Sequence, residues 1–250
     1  MFKYLIFGDR AIIIQLGNEI SPQINKKVRS LYMAITQANI AGVVSVNPTY
    51  TSITVEYKPN VIRYKEICEE FDKLSENLDN MWLPAPSIIT VPVLYGGEKG
   101  PDIETVMSMN NLTEDQVISV HTSVDYLVYM LGFTPGFAFL GGLDKRLHTP
   151  RLQTPRVHIK GGSVGIANSQ TGIYSVDSPG GWQLIGHTPV KMYDPNRSTP
   201  IIHKSGDYIR FKSIEKTEYD DIKEKVDSGV FDYATLITDN TKIAQKSEVI

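Results

Sequence analysis

The sequence predicts an α+β protein in two parts, a small antiparallel α/β sandwich built from a repeated ββα pattern followed by a β-barrel or sandwich. Two observations carry this. Strand-like and helix-like apolar spacing alternate twice within about the first 80 residues, and 11 of the 19 glycines fall between residues 131 and 190 among short β-branched runs, a pattern of tightly turning strands. Between them Leu83-Pro84-Ala85-Pro86 breaks the regularity and marks a linker. The expected boundaries are a ferredoxin-like α/β domain over 1–82, a linker over 83–87, the barrel over 88–235 and a tail over 236–250.

The elements follow in order. KYLIF and AIIIQL flank Gly8-Asp9-Arg10 as a hairpin. Ser21-Pro22 then offers a cap and a first helical residue, and Ile20, Ile24, Val28, Leu31 and Ile35 make one stripe of a helix to about residue 38. VVSV and SITVEY form a second strand pair around Asn47-Pro48, and Tyr64, Ile67, Phe71, Leu74 and Leu78 mark a second helix after Pro59-Asn60. Next come a strand in ITVPVLY, a loop in GGEKGPD and two short helices, the second opened by Thr113–Gln116 as a capping box. SVDYLVYML is apolar and aromatic, SVGIA and GIYSV are short β-branched runs, DYIRFKSI is a late strand, and the tail KIAQKSEVI is polar enough to be disordered.

Composition narrows the function. A net charge of −3 with 41% hydrophobic and 21% charged residues gives no general attraction to nucleic acid or to an anionic membrane. The single cysteine, Cys68, excludes an internal disulfide and a cysteine zinc site, and its place beside a helix stripe makes it a packing residue. Asp9 and Arg10 interrupt the first apolar run before a signal peptide can form, and no run of 18 apolar residues occurs. A cytoplasmic protein is expected.

Several motifs bear on chemistry. Gly161-Gly162-Ser163-Val164-Gly165 matches G-x-S-x-G, but no helical stripe follows the serine as a nucleophile elbow needs. Neither standard nucleotide loop is present, and the five histidines lack metal-ligand spacing. His148-Thr149-Pro150-Arg151 and Gln153-Thr154-Pro155-Arg156 place two arginines five apart behind prolines, suited to a carboxylate or phosphate or else simply solvated. His121 is either a buried, hydrogen-bonded residue or a general base. Gln170, Thr171 and Gln183 could orient a small polar ligand; Trp182 is either its wall or a core plug under Gly180-Gly181.

The strings YMLGFTPGFAFLGGLD, TPRLQTPR and GGSVGIANSQTGIYSVDSPGGWQLIGHTP resemble the allophanate hydrolase subunit 1 family, which includes the B-type subunit of 5-oxoprolinase and a sporulation kinase inhibitor. The resemblance is specific from about 118 to 195 and weaker over 1 to 80. It implies a cyclophilin-like β-barrel and a composite site completed by the C-type 5-oxoprolinase subunit (the allophanate hydrolase subunit 2 homologue). With the A-type subunit, such a complex opens 5-oxoproline to glutamate with ATP, and this chain, which shows no complete phosphoryl-transfer apparatus, is expected to be inactive alone. The resemblance also implies an alternative role as an inhibitor of a sensor histidine kinase, or as subunit 1 of an allophanate hydrolase. In that frame Arg151, Arg156, Gln170, Thr171 and Trp182 are the expected substrate or anion-binding residues, with His121, Arg156 and Gln183 as catalytic ones; ATP is shared with the partners and no metal site is expected. The chain departs from the family where PGFPYL, VPAGS and GRTP are usual, so His187 removes a fixed charge.

Overall fold

A computed structural model describes residues 2–76, 78 and 81–239. It divides into two compact units, Met1–Pro84 and Ala85–Ile250. In the first, β1 (Lys3–Ile6), β2 (Ala11–Gln15), β3 (Val43–Pro48) and β4 (Ser52–Tyr57) form an antiparallel sheet in the order β1-β2-β4-β3. Helix α1 (Pro22–Ala38) joins β2 to β3 with β4 inserted between them, and α2 (Tyr64–Ser75) follows β4. This is the strand order of a split βαβ with its last edge strand moved to the N-terminus.

Local chemistry sets the details. The Ile24 N–H donates to Ser21 Oγ at 3.2 Å, closing the expected cap. Ile20 lies before that cap and is exposed, so the buried stripe begins one turn later, with Val28, Leu31 and Ile35 against Ile12, Ile14, Ile53, Val55 and Phe71. The β3–β4 turn falls after Pro48 and not on Asn47-Pro48; Pro48 pairs with Ile53 on an edge strand, where its missing N–H costs no ladder bond.

The second unit is built on β5 (Ser87–Tyr95). Helices α3 (Ile103–Asn110) and α4 (Glu114–Thr122) follow, then β6 (Asp125–Leu131), β7 (Ala138–Gly141), β8 (Arg156–Ile159), β9 (Ser163–Ala167), β10 (Gln170–Ile173), β11 (Ser178–Gly180), β12 (Gln183–His187) and β13 (Tyr208–Ser213). Helix α5 (Lys216–Asp227) and β14 (Ile237–Asp239) close the unit. The main sheet runs β10-β9-β12-β5-β13-β6-β7, and its two end strands, β7 and β10, lie side by side, so the sheet is a nearly closed barrel. Strand β13 runs parallel to β5, while β12 and β14 share the opposite edge of β5 at its two ends. The core is Ile89, Val91, Val93, Val128, Val164, Ile166, Ile185, Ile209 and Phe211 from the strands, sealed by Val106 of α3 and Val117 of α4. The expected α+β class, with an antiparallel sandwich and a barrel, is what the chain adopts.

The Thr113 capping box forms in both directions, at 3.3 and 2.9 Å. Strand β14 carries ordered sheet into the stretch expected as tail; KIAQKSEVI lies outside the described residues. No described helix is long and apolar enough to cross a membrane.

Candidate functional site

The site gathers where the β6–β7 loop, the segment before β8 and the strands β10–β12 meet. A cleft of about 180 Å³ is lined by Phe133, Phe137, Phe139, Arg151, Tyr174 and Pro179–Trp182. Its wall is an aromatic cluster centred on buried Phe137, whose ring meets Phe133, Phe139, Tyr174 and Trp182 edge-to-face with centroids 5.1–6.0 Å apart. Each ring presents a positive edge to a negative face, so the set packs rigidly. Gly180 sits on the cleft floor because any Cβ there would run into the Tyr174 hydroxyl and ring.

Arg151 is held out by a braced loop. Thr149 and Asn168 exchange backbone bonds at 3.3 and 2.7 Å, Leu152 N–H donates to Gly181 O at 2.7 Å, and Gln183 Nε2 donates to Pro150 O at 3.0 Å. The guanidinium itself is exposed and has no ion pair among the described residues. Arg156, five residues on, is differently used: it bonds Asp102 Oδ1 at 2.7 Å and Trp182 O at 3.4 Å. Asp102 Oδ2 in turn accepts from Leu184 N–H at 2.6 Å. A half-buried charge pair thus ties the start of α3 to β8 and β12, with both carboxylate oxygens engaged. Both arginines act on Tyr174: burial pushes its phenol up, while the Trp182 backbone and the two positive charges pull it down. The cleft is therefore a preformed positive end on an aromatic wall, able to take a small apolar ring bearing a carboxylate.

The structure sorts the expected residues. Arg151 and Trp182 line the cleft; Trp182 is only 6% exposed, wall and plug at once. Gln183 is buried and faces the Arg151 loop through its amide nitrogen, so it positions that loop and is not placed to touch a substrate; its Oε1 has no partner among the described residues. Arg156, expected as an anion-binding and catalytic residue, borders the cleft through Trp182 O and has its charge partnered by Asp102.

His121 takes the first of its two expected places, that of a buried, hydrogen-bonded residue. It is fully buried in the barrel core, stacked on Phe211 at 4.4 Å, with Nδ1 2.8 Å from Tyr95 Oη and Nε2 2.7 Å from Thr171 Oγ1. The Thr171 hydroxyl donates to Gly165 O at 3.0 Å, so it accepts from Nε2–H and the Tyr95 hydroxyl donates to Nδ1. Burial lowers its pKa to about 3. The ring is neutral and bonded at both nitrogens, and Thr171 is bonded with it. Gln170 opens β10 with intermediate exposure and is absent from the cleft lining.

The glycine motif carries no anion site: Gly161 N–H goes to Asp177 Oδ1, Gly162 N–H to Tyr174 O and Ser163 N–H to Lys160 O. Ser163 is buried on β9, where strand continues instead of a helix. His187 pairs with the Tyr219 hydroxyl at 2.9 Å; burial, helped by Lys99, holds its pKa near 4. No group of His, Cys, Asp or Glu suited to a metal occurs among the described residues.

Sequence reasoning missed Asp102, Tyr174 and the phenylalanines 133, 137 and 139. Asp102 gave no signal beyond an acid in a loop, whereas five aromatic residues within a glycine-rich stretch were a visible one. Phe133 is the unusual member. Its φ is +65° and Thr134 N–H bonds Gly132 O at 2.8 Å across it, a tight γ-turn of the rare left-handed kind that costs on the order of 1–3 kcal/mol for a residue with a Cβ.

Comparison with known proteins adds an independent line. The family model for the carboxyltransferase domain, subdomain C and D, matches residues 2–203. The B-type 5-oxoprolinase subunit of Bacillus subtilis (strain 168) is 39% identical over 229 residues, which cover 87% of this chain and 95% of that protein. Its counterpart from Escherichia coli O157:H7 is 38% identical over 208 residues, 83% of this chain and 94% of that one. Among solved structures, TTHA0988 superposes with a TM-score of 0.73 at 33% identity over 83% of this chain, which spans only 40% of that longer protein.

Proposed function

The chain belongs to the carboxyltransferase-domain family, subdomains C and D, and from that premise we propose that it is the B-type subunit of an ATP-dependent 5-oxoprolinase. The observation that carries the reading is the near end-to-end likeness to two bacterial proteins of that name, 95% and 94% of whose lengths align.

The cleft supports it chemically. 5-Oxoproline is a small, flat lactam ring with one carboxylate. The guanidinium of Arg151 suits the carboxylate through a planar two-point bond, and the Phe137–Trp182 wall suits the ring methylenes. What faces the cleft is equally informative: Asp102 is fully engaged and His121 is sealed in the core, so among the described residues no acid–base pair lines it. Its part is to bind and orient the ring. The ATP-dependent phosphoryl chemistry, which rests mainly on positioning and charge stabilisation, falls to a composite site shared with the C-type and A-type partners in the cytoplasm.

Mixing this chain with its C-type and A-type partners is expected to give 5-oxoproline-dependent release of ADP and glutamate, with none from this chain alone. A three-component mixture without that turnover refutes the reading.

A further inference from the structure

The aromatic cluster of the cleft is buried at its centre, partly buried at Phe139 and open at Phe133. Phe137, Tyr174 and Trp182 are all nearly inaccessible, whereas Phe133 is 72% exposed. Exposure of one phenylalanine is ordinary by itself. Its backbone is not: the γ-turn across Gly132 and Thr134 holds a residue with a Cβ at φ +65°, where glycine would sit without strain.

The loop is built to keep it there. Gly132 N–H donates to Phe137 O at 3.2 Å and Phe137 N–H to Thr134 O at 3.1 Å, and Thr134 Oγ1 reaches Ser175 Oγ at 3.3 Å. The Phe133 ring meets Phe137 at 5.9 Å, edge-on, and lines the same cleft as Arg151. Nothing in the packing requires a large ring there, since most of its surface faces solvent. Strain retained without a packing return points to a role in binding.

We propose that Phe133 is a specificity residue of the cleft, a fixed ring that covers the apolar face of a small cyclic carboxylate whose charge is held by Arg151. This rests on the proposed 5-oxoprolinase reading for the identity of the ligand. The ligand ring lies against the solvent-facing side of Phe133, whose other side rests on Phe137, exchanging water on one face for aromatic contact. Open-chain carboxylates lose that contact and bind less well. The aim of the ring is set by the turn before the ligand arrives, which lowers the ordering cost of binding.

The test separates fold from function because Gly suits the turn better than Phe. In the assembled three-component complex, Phe133→Gly is expected to raise the KM for 5-oxoproline about three- to tenfold, with kcat nearly unchanged and the melting temperature of the isolated chain equal or higher. Phe133→Tyr is expected to restore the parent KM. Ligand binding to the isolated chain is read in parallel from Trp182 fluorescence in a Trp82→Phe background. A Phe133→Gly complex with the parent KM overturns the proposal, as does a variant whose only change is weaker assembly, which would make Phe133 a partner contact. A parent that neither turns over nor responds in fluorescence to 5-oxoproline overturns the reading of the cleft and the role of Phe133 together.

Discussion

Replacing His121 with phenylalanine tests the assignment of that residue to the core. The phenyl ring keeps the stack on Phe211, but Tyr95 loses its acceptor, and a buried hydroxyl left unpaired costs about 1–3 kcal/mol. The variant is therefore less stable than the parent at pH 7. The difference must then shrink on acidification. The native imidazole titrates near 3 and the unfolded one near about 6.5. As pH falls below the unfolded value, the unfolded chain takes up a proton that the native chain refuses, and the parent loses stability until pH drops through the native value. Between pH 7 and pH 5 this one site removes about 2 kcal/mol from the parent and nothing from the variant. His187 and His203, which burial also lowers to about 4, destabilise both chains alike and cancel. The assay is thermal unfolding of the barrel transition at both pH values, where the gap in melting temperature is expected to narrow by roughly 4–8 °C. A gap independent of pH would show that His121 titrates normally in the native state, and its place in the core would be wrong.

Four further outcomes follow from the cleft. Asp102→Ala leaves the half-buried Arg156 guanidinium unpaired and the buried Leu184 N–H without its acceptor, a loss of about 1–3 kcal/mol, visible as a lower denaturation midpoint. Gly180→Ala brings a Cβ to 2.8 Å from Tyr174 Cζ; displacing that ring costs about 1–3 kcal/mol and should raise the KM of the assembled enzyme. Arg151→Met should leave stability within about 0.5 kcal/mol while weakening carboxylate binding by about 1.5–3 kcal/mol, the worth of a charged hydrogen bond, read as KM; Gln183→Ala, which removes the bond to Pro150 O, should weaken that binding less and lower stability by about 1 kcal/mol.

Much of the fold was legible because its signals are local. Ser21 and Thr113 cap helices through their own side chains, the stripe from Val28 to Ile35 needs one buried face, and glycine density between 131 and 190 marks tight strands. The likeness to the family was equally legible, in strings such as SPGGWQLIGHTP. The site was read only in part. Arg151 and Arg156 have the same neighbours in sequence, each behind Thr-Pro, yet the first has no ion pair among the described residues and the second is tied to Asp102, 54 residues away. His121 reads in sequence as either a base or a buried residue, and it is a core residue because Tyr95 and Thr171, 26 and 50 residues distant, supply its two bonds. Sequence alone determined the ββα repeat, the capped helices, the glycine-dense region of tight strands and the family the chain belongs to, since spacing, caps and glycines act over a few residues. Tertiary structure decided which polar groups are spent on one another and which are left for a ligand, because hydrogen-bond satisfaction in a barrel is settled between strands that are distant in the chain.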